Sequence, residues 1–391
     1  MYISKKLQNY LSIMAILSAA FGLVAVGLFG LSKGSQQGTD FFVFYKAGSL
    51  LLEGVSPWIA MMGDEMPFAY PPHATSVFLA YAYLPKSVAL FLHNILNIFS
   101  MLVILWFSNK HFIHAKFGKP LDLAQGVGLS VILGSTFAFH LVFLGQITIM
   151  IYLALLLSWH ALKRHYIQVS SILLAFATFK PQVALVYIIW LSLNKEFKVI
   201  IYAGVYSIFL MIPSIYIVGL IDSFKDWLLS IENYTTRDAN TNNSQNVYGL
   251  SSFLRSLGIE TGYYLIIIPT LLMGFLYVFR ERLPELLIFH TLMFVNVMFV
   301  YAHDVDMILL AVLWGFFFVN SIRQNRLFLT LIGFVFLLML SFPQRIIRPL
   351  DIEYLIHYRE IVTLAFFMMT YIFWGQILMN KDAHADLSSK N

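Results

Sequence analysis

Cysteine is absent from the chain, which excludes disulfides, thiolate metal sites and cysteine nucleophiles. Charge is scarce too: 12% of residues are Asp, Glu, Lys or Arg, against about a quarter in an ordinary soluble domain. A P-loop, a GxGxxG fingerprint, an HExxH zinc motif and a Gly-x-Ser-x-Gly elbow are all missing. The serial arginines of a voltage sensor are missing as well. Asp304 and Asp306 have only His303 beside them, too few ligands for a metal site. Neither a metal nor a cofactor is therefore expected. The formal charge of +5 is spread in small groups between apolar runs. That pattern marks the cytoplasmic side of a membrane protein rather than a face for nucleic acid.

What the chain has in excess is apolar residues, 59% of its 391, with a mean hydropathy of +0.77. Apolar runs lie near 10–31, 72–85, 88–108, 122–144, 147–162, 166–194, 199–220, 262–279, 284–302, 305–320, 327–342 and 355–379. A spanning helix needs about 20 such residues, so the fold class expected is an all-α integral membrane protein of roughly 10–13 membrane segments. Its residues 1–391 form a single polytopic domain. Leu11–Leu31 follows Lys5 and Lys6, is too long for a signal-peptide core, and reads as a retained anchor. The run 166–194 is long enough for two half-spans broken at Lys180-Pro181.

Basic groups at Lys5/Lys6, Lys110/Lys116/Lys119, Lys163/Arg164, Lys195/Lys198, Arg280/Arg282, Arg323/Arg326 and Lys381 mark the cytoplasmic side, with a tail at 380–391. Loops 32–71, 221–261 and 343–354 then face outward. With 32–71 outside and Lys110 inside, 72–85 and 88–108 cannot both cross, so 72–85 is expected to be partial or re-entrant. The expected location is a plasma membrane, multi-pass, with membrane lipids around it and the active site on the extracytoplasmic face.

Candidate chemistry collects on that face. In 32–71, Asp40 precedes an amphipathic stretch, Phe41 to Leu52, that suits a helix along the membrane surface. Its carboxylate can serve as a general base for an acceptor hydroxyl attacking a sugar carbon; the plainer reading is a helix N-cap. Tyr70, before Pro71-Pro72, is restricted to an extended backbone and directed at the outer cavity, or is an interfacial anchor. Gly145-Gln146, Lys180-Pro181 and His303-Asp304-Val305-Asp306 place polar groups in apolar surroundings, where ionisable residues are costly. Lys180 can hold the phosphate of a lipid-linked donor, or snorkel; His303 and Asp304 can bind phosphate or sugar hydroxyls, or form an exposed turn. The outer polar loop 221–261 carries Asn246 and Arg255, whose side chains suit sugar hydroxyls or, for Asn246, a helix cap.

Asp40-Phe41, Tyr45-x-Ala47-Gly48-x-x-Leu51-Leu52-x-Gly54-x-x-Pro57, Phe68-x-Tyr70-Pro71-Pro72, Leu84-Pro85, Gly145-Gln146, Lys180-Pro181, Asn246-x-x-Gly249 and His303 follow in order over about residues 35–310. This pattern resembles glycosyltransferase family 87, which contains polyprenol-phosphate-mannose-dependent mannosyltransferases of the GT-C class. The first two blocks are its specific part. The resemblance implies a GT-C-type helical bundle acting on cell-envelope glycans. A hexose, mannose first, would pass from a polyprenyl-phosphate donor to a lipid or glycan acceptor with inversion. It implies Asp40 as catalytic base, donor contacts from Lys180, His303, Tyr70 and Gln146, and acceptor or sugar contacts from Tyr45, Asn246, Asp304 and Arg255. Around the histidine, Tyr301-Ala302-His303-Asp304 departs from the family, which often has Trp or Tyr directly beside it. The competing reading is a transporter or flippase of lipid-linked saccharides, since broken helices and midplane polar residues also serve transport.

Overall fold

The computed structural model describes residues 38–111, 136–237, 240–241, 247–323, 326–341 and 352–372. Leu11–Leu31, Asn246 and the 380–391 tail lie outside the described residues. Helix dominates what is described, as an all-α reading requires. The exception is a pair of two-residue strands, β1 (Val247–Tyr248) and β2 (Ala302–His303). They run antiparallel with Val247 opposite His303 and Tyr248 opposite Ala302.

Two helical stretches are long and apolar enough to cross a bilayer, Lys86–Ser108 and Asp304–Ile322. A third is Phe137–Leu144 joined to Thr148–Lys163, if that pair, bent by 114°, is one span. Expected runs are otherwise cut into apolar helices of 10–17 residues, such as Ile167–Ala177, Pro181–Leu193 and Phe197–Leu210. The count of 10–13 segments is therefore not reached among the described residues. The breaks have chemical causes. Pro181 and Pro213 each sit in the first turn of a new helix, where a missing N–H costs nothing. Gly145 adopts φ +69° at the bend, and a Cβ there would lie 2.6 Å from that of Phe41. The run 72–85 yields only a turn at Pro72–Ala74 and the eight-residue helix Thr75–Ala82, about 12 Å long and too short to cross.

The amphipathic stretch of the first loop is the helix Thr39–Leu52. Its Phe41, Phe44, Ala47, Gly48 and Leu51 are buried against protein, chiefly the helix Thr75–Ala82. Gly48 permits this approach, since a Cβ there would come 2.2 Å from the Phe78 carbonyl oxygen. Phe44 stacks on Phe78 with centroids 4.5 Å apart. Ile167–Ala177 packs on Thr148–Lys163 through small residues: Ser158 and Ser170 each donate to the other's carbonyl, at 2.9 and 3.0 Å. Close approach of small residues is how helices associate where lipid offers no hydrophobic drive.

Candidate active site

The bend at Gly145, the break at Lys180 and the β1–β2 pair meet around a cavity of about 1040 Å³. It is lined by Asp40, Tyr70, Gln146, Lys180, His303 and Asp304, with Val43, Phe44, Phe139, Phe143 and Phe179 among its apolar wall. Six of the residues singled out in the sequence thus share one space. Two others stand off it: Tyr45 donates to the Leu84 carbonyl at 2.9 Å, and exposed Arg255 donates to Thr261 at 3.3 Å.

Asp40 lies in the first turn of Thr39–Leu52, but the N-cap is Gly38 and no side chain caps this helix. The capping alternative is thereby removed. Its carboxylate instead accepts a hydrogen bond from the Gln146 amide. Burial pushes the Asp40 carboxyl above its usual range, opposed by the Gln146 bond and by His303, Lys180 and His140. A carboxylate of raised proton affinity is a better proton acceptor.

Tyr70 is fixed from both ends. Pro71 holds an extended backbone (φ −68°, ψ 157°), and the Tyr70 carbonyl accepts from Trp58 at 2.8 Å. The amphipathic helix Leu220–Thr235 anchors the preceding residues: Trp227 donates to the Ala69 carbonyl at 3.0 Å and Ser230 to that of Phe68 at 2.7 Å. Arg237, just beyond that helix, donates to the carbonyls of Met62, Asp64 and Glu65, closing the 61–67 loop over the cavity rim. Burial raises the phenols of Tyr70, Tyr234 and Tyr301 above their ordinary value, so all three are neutral donors at physiological pH. Tyr301 and Tyr234 hold the His303 ring, their hydroxyls 2.9 and 3.3 Å from Nε2.

The charged groups form two clusters, one around Asp306 and one around Asp304. Lys180 bonds Asp306 and donates to Thr148 at 2.9 Å. Asp306 also accepts from Thr148 at 2.8 Å and from the His303 backbone N–H at 3.0 Å. Asp304, two residues earlier, pairs with Arg359 at 2.6 Å and with His140 at 3.1 Å. Arg359 and His140 were not selected from the sequence. An ionisable residue inside each of the apolar runs 355–379 and 122–144 was the signal that could have found them. Among the described residues no group of three or more potential metal ligands occurs.

The sequence profile of glycosyltransferase family 87 matches residues 68–343. Apolar helices able to cross a bilayer, together with that match, place the chain in the class of membrane glycosyltransferases. The match spans more than half of the chain, which therefore belongs to glycosyltransferase family 87. Asp40 precedes the matched segment and Arg359 follows it, whereas Tyr70, His140, Gln146, Lys180, His303 and both aspartates fall inside. No curated protein and no solved structure matches the chain.

Proposed function

We propose that this glycosyltransferase transfers a hexose, mannose first, from a polyprenyl-phosphate donor to a hydroxyl of a lipid or glycan acceptor. The chemistry occurs on the extracytoplasmic face of a multi-pass, GT-C-type bundle. The observation that carries the reading is Asp40: a carboxylate of raised proton affinity, fixed by Gln146, in one cavity with a cationic wall.

Asp40 takes the proton of the acceptor hydroxyl as its oxygen bonds to the anomeric carbon. The bond from that carbon to the phosphate oxygen breaks with inversion, and polyprenyl phosphate leaves with one more negative charge. The wall holding His303, Arg359 and His140 favours that charge, while Lys180 is paired with buried Asp306. Tyr70 and Gln146 border the sugar, and Asp304 supplies acceptors for its hydroxyls. The apolar wall of Phe139 and Phe143 suits the first isoprene units. Tyr45 and Arg255, bonded elsewhere, have no part in this scheme.

The test is transfer of radiolabel from polyprenyl-phosphate mannose to membrane lipids and glycans by wild type and Asp40→Asn. Label moving with wild type alone is expected. Comparable transfer by the variant removes Asp40 as base. No transfer by either protein leaves a different donor sugar, tested next with other lipid-linked hexoses and pentoses, or moves the transporter reading to the front.

A further inference from the structure

Five side chains of the cavity wall are cations or imidazoles, Arg237, Lys180, His303, His140 and Arg359. Arg237 is taken up by the carbonyls of Met62, Asp64 and Glu65, and the others differ in what becomes of their counter-ions when an anion arrives. Lys180 and Asp306 are 4% and 1% exposed. Asp306 has both oxygens occupied, by Lys180, Thr148 and the His303 N–H. An anion drawing Lys180 away would leave a buried carboxylate without its cation, which is strongly unfavourable. Asp304 is 24% exposed, so water can solvate it when a partner turns away. Its two partners are Arg359, on helix 358–372, and the 40%-exposed ring of His140. The guanidinium also lies over the Phe137 ring, 5.4 Å from its centroid, which fixes the plane of a fork suited to phosphate oxygens.

Resting on the donor reading above, we infer that the phosphate of the lipid-linked donor binds at Arg359 and His140 in exchange for Asp304, and that Lys180 is a positioning residue. Lys180 acts through Asp306, whose second oxygen holds the His303 backbone and with it the His303 ring. Asp304 is the counter-ion that phosphate replaces at both groups. When phosphate binds, Asp304 becomes a solvated acceptor beside the sugar.

The experiment measures binding of three probes to the full chain in detergent: farnesyl phosphate, farnesol and inorganic phosphate. Wild type is expected to favour farnesyl phosphate over farnesol. Arg359→Gln is expected to weaken farnesyl phosphate by about ten- to a hundredfold, the scale of a charge-assisted bond pair, while farnesol binding is unchanged and so reports a folded cavity. Arg359→Lys, which keeps charge and loses the fork, should fall between. The double variant Lys180→Met with Asp306→Asn should hold farnesyl phosphate within about twofold, because it removes a closed neutral pair. Inorganic phosphate competing as well as farnesyl phosphate assigns the site to free phosphate and overturns its role for the lipid donor. Farnesyl phosphate affinity unchanged in Arg359→Gln, or lost in the double variant, overturns the assignment. Arg359-dependent binding in a protein that transfers no sugar supports the subsite and defeats the transferase scheme instead.

Discussion

Lys180→Met tests whether the buried pair organises the site. The pair is almost fully enclosed, at 4% and 1% exposure, so neutralising the lysine leaves Asp306 charged in a place water does not reach. Breaking such a pair from one side costs about 3–5 kcal/mol. At roughly 2 °C per kcal/mol for a chain of this size, the apparent melting temperature should fall by about 6–10 °C. Asp306→Asn should cost a similar amount, since Lys180 then stands uncompensated. In the double variant, the amide introduced by Asp306→Asn still accepts from Thr148 or from the His303 N–H. The residual loss is therefore the net value of one or two hydrogen bonds, about 1–2 kcal/mol. The assay is intrinsic fluorescence during heating in detergent, run as a double-mutant cycle. Strong coupling is the expected result. Single variants that melt with wild type, or a double variant whose loss equals the two single losses added, would refute the closed pair.

Gln146→Leu reports on Asp40 through pH. The Gln146 bond lowers a carboxyl that burial has raised, and its own Oε1 is buried without a partner among the described residues. Removing it raises the Asp40 pKa further. A base is lost as pH falls through its pKa, so the acid limb of kcat/KM must move to higher pH; an unmoved limb with lowered kcat assigns Gln146 a purely structural part. Gly48→Ala forces a Cβ against the Phe78 carbonyl and should cost about 1–3 kcal/mol or more. Gly204→Ala meets open space and should be neutral or stabilising by up to about 1 kcal/mol; equal melting of the two would discount the close packing of Thr39–Leu52 on Thr75–Ala82. Because the chain has no cysteine, single cysteines at the exposed positions Glu65 and Lys163 can be labelled with an impermeant maleimide. Glu65→Cys should react from the extracytoplasmic side and Lys163→Cys only after permeabilisation; the opposite pattern inverts the proposed orientation.

Much of the site was legible because polar residues stand out in apolar runs. Gln146, Lys180, His303 and Asp304 drew notice for their cost in that setting, and all line the cavity. The break at Lys180-Pro181 could be read because proline announces its effect locally. Partners could not be read in the same way. Gln146 finds Asp40 across 106 residues and Lys180 finds Asp306 across 126, and no local rule links positions so far apart. Span count failed for a related reason. Hydropathy scores apolar residues alike whether they face lipid or core, while helix length is set by breaks such as Gly145, Pro181 and Pro213. Arg359 was passed over although it and Glu360 put two charges in a run read as a terminal span, the signal that could have found it.

The two aspartates also show how little local geometry is needed to separate the roles of neighbouring carboxylates. Asp304 and Asp306 open a 3-10 turn, Asp304–Leu310, in which successive side chains turn by about 120° and residues three apart eclipse. His303, in extended conformation, is the N-cap of this turn and Asp306 its third residue, so the Asp306 carboxylate reaches back to accept the His303 N–H at 3.0 Å, as in a capping box. Asp304 is carried to another side, toward Arg359 and His140. The pairing of His303 with Val247 in the β1–β2 ladder fixes where the turn begins. Deleting or inserting one residue between His303 and Asp306 would rotate Asp306 off Lys180 and break the N–H bond together. Such a variant should lose transfer even with every side chain of the cavity present, whereas Asp304→Asn, which keeps the register, should chiefly alter donor affinity. Transfer that survives the one-residue insertion would mean that the buried pair does not position His303.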